Sequence, residues 1–512
     1  MTGRLLKYGI KKNFMVTVLI FSLVSFSLLF TPSSIGKGII PTGGVIKVGL
    51  SARVISNSPS RPLTPLNSIL LDEIYESAIP ENEGSPIAKI EKIDESKARM
   101  IIKPNIVVGD MPSRTLTADD VALCLQIRAH ERWDARWALR GLAEKIEGTG
   151  YPAFSVTDES TIEFGLKPGA DFDKIKNSFE SPALRLSISS GGGVVDGTGP
   201  FNFYKDINDS NMLGRSLAYH AGRPFLDRVD VISYLSADES VLDFGRGSLD
   251  ALLITSDERQ KYAESSRAAH SRLERVGDAL LVLLVNPARL PSLEERRSLV
   301  LASDRKGIAE VVLGEGAQAA GDFFGTFWEA SDFSRDLEEA RKLHTQAKNA
   351  REKLTLLVCD DPAARAASGR LRANWESLGV PVEIRESEGP LSLSISADAI
   401  LLAFRLPKNG DGVFPELFEL YDRNGWWSIA GLVLDGESAS ILKNVRSLGL
   451  NCDLNKLGRG MESSGLAIPL AKYGVLFAPG PGVSLVSGEI YPGSVFWRAF
   501  NGIIPVNREM PE

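Results

Sequence analysis

The chain has 512 residues, 43% of them hydrophobic and 24% charged, and its formal net charge is -7. That length exceeds one compact core and fits two or three lobes, while the composition excludes disorder, collagen-like repeats and coiled coil as the main architecture. The mild acidity argues against nucleic acid as a partner. Three cysteines, none at CxxC spacing, exclude a disulfide scaffold.

The N-terminus carries the features of an export segment. Basic residues precede an uncharged apolar run over 14–30, and small residues follow at 31–34. This order is typical of a secretory signal peptide, and the run also reaches the short end of membrane-spanning length. We therefore predict that 1–36 is a signal peptide, or a signal anchor that contacts the inner membrane through 14–30. The rest of the protein is predicted in the periplasm or on the extracytoplasmic face of a bacterial cell envelope.

Strands and helices alternate in the first half of the chain. The predicted order is a strand at 45–50, a helix at about 66–78, a helix that begins after Thr117, and strands at 161–166 and 187–189. Thr117 is followed by Asp120 at the spacing of a capping box. Val121, Cys124 and Leu125 then share one apolar face, which favours a core thiol over a reactive one at Cys124.

The second half continues this alternation. Ser292, with Glu295 three residues on, starts a helix that is followed by a helix at 305–313 and a charged, solvent-facing helix at 336–350. The order of a strand at 354–358, a helix at 365–378 and a strand at 380–384 predicts a parallel, right-handed unit. A last strand pair covers 467–470 and 474–477. The predicted class is α/β with mixed sheets.

We find no catalytic, cofactor-binding or metal-binding pattern in the sequence. The four histidines are scattered, and 130–134 lacks the second histidine of a zinc-protease motif. Ser248 lacks the final glycine of a nucleophile elbow, and the glycines at 191–199 lack the lysine and hydroxyl residue that end a phosphate loop. We therefore expect an exported protein that binds a ligand and is not an enzyme.

The pentapeptide GTGPF at 197–201 is similar to a signature of the extracellular solute-binding proteins of family 5, which serve oligopeptide, dipeptide and nickel ABC importers. As a local structure it predicts a tight turn whose glycines adopt positive φ. Residues 219–229 resemble the family pattern Y-x-x-G-x-P-x-L-D-x-V. Further matches occur in the family's order along the chain, at 48–50, 74–76, 116–121, 247–253, 285–305, 378–382 and 468–470. The chain is therefore identified as a divergent member of this family.

The resemblance implies a bilobed periplasmic-binding-protein type II fold with a hinge between the lobes. Lobe I would comprise 37–276, with a smaller subdomain around 63–186, and 475–512 would return to it after lobe II at 277–474. The ligand would lie in the cleft and be buried by hinge closure. The closed form of a monomer would then dock on the permease subunits of an ABC importer, with no cofactor involved.

The chain departs from the family where peptide-binding members have GW-x-x-D-Y, whose aspartate holds the amino group of the ligand. Phe404 aligns with the tryptophan and Pro407 with the aspartate. Asp411 is the candidate replacement, with a turn residue as the alternative. Arg405 either faces an anionic ligand or is solvated.

Trp426 and Trp427 are candidate aromatic walls of the ligand site, with core packing as the alternative. The predicted substrate-binding residues are therefore Phe404, Arg405, Asp411, Trp426 and Trp427. The predicted function is capture of a small ligand, with a peptide or peptide-like molecule favoured, for an ABC importer. The alternative is a binding or sensor module of the same fold, anchored by 14–30 and not coupled to import.

Overall fold

The computed structural model describes residues 42–53, 64–78, 87–109, 114–146, 148–189, 195–205, 211–217, 219–268, 273–326, 335–348, 350–387, 393–407, 410–485 and 495–501. The predicted export segment lies outside these residues. In the described part of the chain, no helix is long and apolar enough to cross a membrane. Pro41–Ile503 forms one compact unit.

The strands are numbered in chain order. They are β1 Val45–Leu50, β2 Ala88–Asp94, β3 Lys97–Ile102, β4 Val107–Val108, β5 Arg114–Thr115, β6 Phe154–Asp158, β7 Thr161–Gly165, β8 Ser187–Ser189, β9 Val195–Gly197, β10 Phe201–Lys205, β11 Asn211–Arg215, β12 Arg228–Ser233, β13 Ala251–Thr255, β14 Glu274–Val285, β15 Gln318–Ala319, β16 Leu354–Val358, β17 Val382–Glu386, β18 Ala399–Arg405, β19 Ala467–Pro479, β20 Val483–Leu485 and β21 Ala499–Asn501.

The helices are numbered in the same way. They are α1 Pro65–Asp72, α2 Ala118–Glu131, α3 Trp133–Ala138, α4 Phe172–Ser178, α5 Ala237–Gly245, α6 Arg259–Glu264, α7 Leu293–Ala302, α8 Arg305–Gly307, α9 Leu337–Gln346, α10 Pro362–Glu376, α11 Phe414–Asn424, α12 Trp426–Gly431, α13 Gly436–Arg446, α14 Leu454–Ser463 and α15 Val495–Arg498. Short 3-10 turns cover Pro182–Leu184 and Ser256–Glu258, and a π-helical segment, Ile308–Leu313, follows α8.

One mixed sheet of 11 strands forms the centre of the molecule, in the order β10-β11-β12-β1-β13-β19-β14-β18-β16-β17 with β15 on β19. At one end β1 pairs in parallel with β12 and β13, and at the other β16 pairs in parallel with β17 and β18. The strand–helix–strand unit predicted from 354–384 is confirmed as β16, α10 and β17, and the mixed α/β class is confirmed with it.

The long strands β14 and β19 join the two ends of this sheet. Near its C-terminal end β19 pairs with β13, from the first half of the chain, and over most of its length it pairs with β14. The other edge of β14 pairs with β18. The pairing register of β14 shifts between Arg275 and Gly277. The two strands predicted at 467–470 and 474–477 are one continuous strand, because the intervening residues Ala471, Lys472 and Tyr473 stay paired with β14.

A second, smaller sheet has the order β2-β3-β7-β6 and a hydrophobic core of its own. α2 packs on it and begins with the predicted cap, in which Thr117 Oγ1 accepts from the backbone N of Asp120 at 3.3 Å. Cys124 is buried in this core, as predicted. The cap at Ser292 is confirmed as well, since its Oγ accepts from the backbone N of Glu295 at 3.3 Å.

The GTGPF segment packs against the end of α1 in a way that the predicted turn does not explain. Neither Gly197 nor Gly199 has positive φ, so the predicted reason for the glycines was wrong. A Cβ on Gly197 would lie 1.7 Å from the carbonyl oxygen of Ile74. The same oxygen accepts from the backbone N of Gly199 at 2.9 Å. Glycine is required here because two backbone segments approach each other closely.

Candidate functional site

The candidate site lies where α3, from the first half of the chain, packs against α11, from the second half. Trp133 and Trp137 are four residues apart, so both rings lie on one face of α3. Their rings stack at 5.4 Å between centroids, and Trp133 meets Phe418 of α11 edge-on at 5.7 Å. The backbone N of Trp133 donates to Glu419 Oε2 at 2.6 Å. Aromatic and polar contacts thus join the two halves here.

Buried charges flank these aromatic rings. Arg132 Nε donates to Asp134 Oδ1 at 2.8 Å, and Asp134 is 1% exposed. Arg423 pairs with Glu419. Burial, together with the nearby Asp134 charge, raises the pKa of Glu416 to about 8. None of these residues belongs to the predicted site, because no sequence motif marks them.

Arg405, a predicted ligand contact, lies at the end of β18 and pairs with Asp72 at the end of α1. Arg405 Nη1 also lies 3.4 Å from Ser68 Oγ. Asp72 Oδ1 accepts from the buried Arg185 as well, with Nη2 at 2.5 Å and Nε at 3.0 Å. One carboxylate therefore joins an arginine from each half of the chain.

Asp411 lies between two glycines of positive φ, with 82° at Gly410 and 61° at Gly412, as the turn interpretation requires. Its side chain nevertheless reaches the other half of the chain. Asp411 Oδ2 accepts from Trp137 Nε1 at 3.0 Å, and Oδ1 lies 3.6 Å from Arg140 Nη2. The Arg140 guanidinium in turn covers the Trp137 ring at 3.9 Å from its centroid. The turn presents the acid to Trp137 and Arg140.

The other three predicted residues are packed into the core. Phe404 is fully buried within the central sheet, and Trp426 is 0% exposed. Trp427 stacks on Phe418 at 5.1 Å, and its Nε1 donates to Asp422 Oδ1 at 3.1 Å. Trp426 and Trp427 therefore take the core-packing position that the sequence left as the alternative.

A cavity of about 410 Å³ opens beside the contact between Trp137 and Asp411. Both halves of the chain line it, and most of the lining side chains carry polar groups. The lining residues are Trp137, Arg140, Lys174, Asn177, Ser178, Phe324, Gly410, Asp411, Leu450, Cys452, Asp453, Leu454 and Asn455. A smaller cavity of about 70 Å³ adjoins it and shares Arg140, Lys174, Ser178 and Leu450. This arrangement suits a small ligand that forms hydrogen bonds and charge contacts.

The sequence signal for this site is weak but present. Trp133 and Trp137 are four residues apart, which places two tryptophans on one face of α3, and Arg140 lies two residues beyond the end of that helix at Ala138. Tryptophan and arginine are enriched among the residues that contribute most to binding at interfaces. Within the described residues, no group of three or more His, Cys, Asp or Glu side chains could hold a metal ion.

Several solved structures share this fold. The murein tripeptide binding protein MppA of Escherichia coli is 14% identical, with a TM-score of 0.70 over 91% of this chain and 100% of that chain. DppA of Helicobacter pylori, in complex with the peptide STSA, is 16% identical, with a TM-score of 0.67 over 90% and 99%. MoaA from A. tumefacien R10, in complex with mannopinic acid, is 15% identical, with a TM-score of 0.68 over 90% and 100%. The chain has the bilobed type II periplasmic-binding-protein fold.

The family comparison agrees with these structures. Comparison of the sequence with curated proteins finds no match. The family model "Bacterial extracellular solute-binding proteins, family 5 Middle" matches residues 113–403, which is more than half of the 512-residue chain. The chain therefore belongs to the bacterial extracellular solute-binding proteins of family 5.

Proposed function

We propose that the protein captures a small ligand between its two lobes outside the cytoplasm and delivers it, as a monomer and without catalysis, to the permease subunits of an ABC importer. The observation that carries this proposal is the cavity of about 410 Å³ lined by both halves of the chain. Its volume lies in the usual range for small-molecule sites, about 300–1000 Å³. Among the five predicted residues Asp411 lines this cavity, so we assign it the ligand-side contact.

The lobe boundaries are part of this proposal. We assign 37–276 and 475–512 to lobe I, with its subdomain around 63–186, and 277–474 to lobe II. The pairing of β14 with β19 shifts register at two places, and the shift between Arg275 and Gly277 supports the point where the chain passes from lobe I to lobe II. Gly474, whose partner on β14 is Asp278, supports the point where it returns to lobe I. A bend at these two neighbouring points would separate α3 from α11 and open the cavity.

Peptides or peptide-like molecules are the favoured ligands, because MppA is named for a murein tripeptide and DppA is seen with a peptide. The polar lining fits this class, since Lys174 and Asp453 offer opposite charges and Asn177 and Asn455 offer amide groups. Arg140 would bind a carboxylate if the ligand displaced Asp411 from it.

The test uses protein expressed from the full sequence and analysed by native mass spectrometry. We expect a bound small molecule, or a thermal shift with members of a library of di- to pentapeptides. Asn177→Trp, which fills the cavity, should abolish the shift, whereas Lys176→Trp should leave it intact, because Lys176 is exposed on the same helix and does not line the cavity. Binding that survives Asn177→Trp unchanged would place the ligand elsewhere.

One observation favours the second function, a binding or sensor module that is not coupled to import. Both oxygens of Asp411 are already in contact with Trp137 and Arg140 of the same chain, so closure needs no ligand to satisfy this acid. Co-purification of the full-length protein with ABC permease subunits supports import. A stable complex with a membrane protein of another class supports the module.

A further inference from the structure

A group of buried acids lies where the two halves of the chain meet beside β19. Asp257 and Glu258 follow β13 in the turn Ser256–Glu258, and Asp361 follows β16 and caps α10. The turn packs against both α10 and β19. Glu258 is 1% exposed and Asp361 is 0% exposed. Acids from both proposed lobes are therefore withdrawn from water at one place.

Each of the two buried carboxyl groups uses one oxygen and leaves the other without a hydrogen bond. Glu258 Oε2 accepts from the backbone N of Thr255 at 2.8 Å and from its Oγ1 at 3.2 Å. Asp361 Oδ1 accepts from the backbone N of Ala364 at 3.1 Å and from the Tyr473 hydroxyl at 3.0 Å. Among the described residues, Glu258 Oε1 and Asp361 Oδ2 have no hydrogen-bond partner of good geometry, although the Ser51 side chain lies close enough to Glu258 to oppose part of the rise in its pKa. A buried, half-satisfied carboxylate is costly, and the cost falls when it is protonated.

The cations nearby are engaged elsewhere. Arg365 Nη1 pairs with Asp360 Oδ1 at 2.5 Å, and Nη2 donates to the carbonyl of Ser51. Lys261 pairs with Asp238 at 2.8 Å. The titratable and charged groups that face the cluster are Asp257, Glu258 and Lys261 from the first half and Cys359, Asp360, Asp361, Arg365 and Tyr473 from the second. Acids outnumber the available positive charges.

Burial, and then the Asp257 charge, raise the pKa of Glu258 to about 7. Burial, again with a contribution from Asp257, raises the pKa of Asp361 to about 7. In water these groups titrate near pH 4. If opening exposed them to water, the described arrangement would hold protons between about pH 4 and 7 that the open one would release. Closure would therefore be favoured in acid. As the pH rises towards 7, the equilibrium constant for closure would fall by up to about tenfold per pH unit for each carboxyl.

We propose that the Asp257, Glu258 and Asp361 cluster is a proton-dependent lock on the hinge, which holds the lobes together when protonated and releases them when it ionises. The lock rests on the proposed lobe boundary and not on ligand capture. Charge repulsion between Asp257 of one lobe and Asp361 of the other supplies the opening force. The device makes closure respond to the pH outside the cytoplasm.

The test is small-angle X-ray scattering of the ligand-free, full-length protein between pH 5 and 8. We expect the radius of gyration to increase up to about pH 7 and then to level off. Glu258→Gln with Asp361→Asn, which mimics the protonated cluster, should stay closed throughout, whereas the exposed control Glu338→Gln should follow the wild type. A wild type without a transition, or a double variant that keeps it, overturns the lock.

Tyr473→Phe tests the lock should the double variant fold poorly. Its hydroxyl donates to Asp361 and so favours the ionised form. Without it the transition should extend to higher pH, and an unchanged or lower transition overturns the lock. The scattering measurement needs no ligand. A negative result in the peptide-binding test therefore does not affect the test of the lock.

Discussion

The two contacts between the halves of the chain differ in how they handle buried charge. Around α3 and α11, the buried carboxylates of Asp134 and Glu419 have the arginine partners Arg132 and Arg423, whereas Glu416 Oε2 has no hydrogen-bond partner among the described residues. Beside β19, Glu258 Oε1 and Asp361 Oδ2 are buried without a hydrogen-bond partner among the described residues. Complementary pairs thus predominate at the first contact and acids without a paired cation at the second. In the proposed closed form, we expect the first contact to set the fit of the two halves and the second to set the response to pH.

Removal of one member of a buried pair should break the first contact with the largest effect. Asp134→Ala leaves the buried Arg132 guanidinium without its carboxylate, which typically costs about 3–5 kcal/mol. The free energy of unfolding, measured by urea titration, should fall by this amount. Glu95→Ala is the control, because its pair with Lys92 leaves Glu95 94% exposed and contributes about 0–1 kcal/mol. Equal losses in the two variants would contradict the distinction between buried and exposed pairs.

Neutralisation of one member of the unpaired cluster should act in the opposite direction. The pKa of Glu258 is raised to about 7, so the folded state keeps a proton that the unfolded state loses from about pH 4.5 upward. The part of the wild-type free energy of unfolding that comes from this bound proton is therefore lost as the pH rises from about 4.5 through 7. Glu258→Gln should match the wild type near pH 4.5 and exceed it by roughly 3 kcal/mol at pH 7.5 in the same urea titration.

A pH-independent difference between Glu258→Gln and the wild type would show that Glu258 is ionised throughout. Glu315→Gln is the control, since Glu315 is exposed and pairs with Arg259 at the surface. It should show no comparable change between the two pH values.

Local signals in the sequence predicted much of the fold. The caps at Thr117 and Ser292 and the unit of β16, α10 and β17 depend on neighbours within a few tens of residues, and all of them are confirmed. The predicted helix at 66–78 ends at Asp72, because Glu73 and Ile74 turn away to bond the GTGPF segment. The early end of this helix could not be predicted locally, because it depends on a partner segment more than a hundred residues away in the sequence.

The candidate site was less predictable for the same reason. Trp133 and Glu419 are 286 residues apart, and no local sequence pattern predicts their contact. Arg132 and Arg185 are buried, although arginine is usually found at the solvent-exposed surface. Their burial depends on charged partners that the local sequence does not reveal. Asp411 was predicted only from the family resemblance, because it lies four residues after Pro407, which aligns with the family aspartate. The five predicted residues remain predictions as ligand contacts.

Loss of one hydrogen bond across the first contact should have a moderate effect. Trp137→Phe keeps an aromatic ring but removes the Nε1 donor to Asp411, and hydrogen bonds to charged groups contribute about 1.5–3 kcal/mol. Trp375→Phe is the control, because it removes a buried indole donor from the Leu299 carbonyl within the second half of the chain. Both should lower the free energy of unfolding, but only Trp137→Phe should also increase hydrogen exchange in α3 and α11. Equal exchange in the two variants would contradict a role for Trp137 in joining the halves.

The smallest effect is expected at the rim of the same contact. Arg136 Nη2 lies 3.0 Å from Asp422 Oδ2, and the Asp422 side chain is 41% exposed. Because solvent screens this pair, Arg136→Gln should lower the free energy of unfolding by less than about 1 kcal/mol, and the loss should shrink further in 0.5 M salt. Arg140→Gln gives the matched comparison, since its carboxylate partner Asp411 is only 24% exposed and its guanidinium also covers Trp137. Its loss should be larger and less sensitive to salt, because enclosure and ring contact, rather than the number of ion pairs, determine how strongly an arginine joins the two halves.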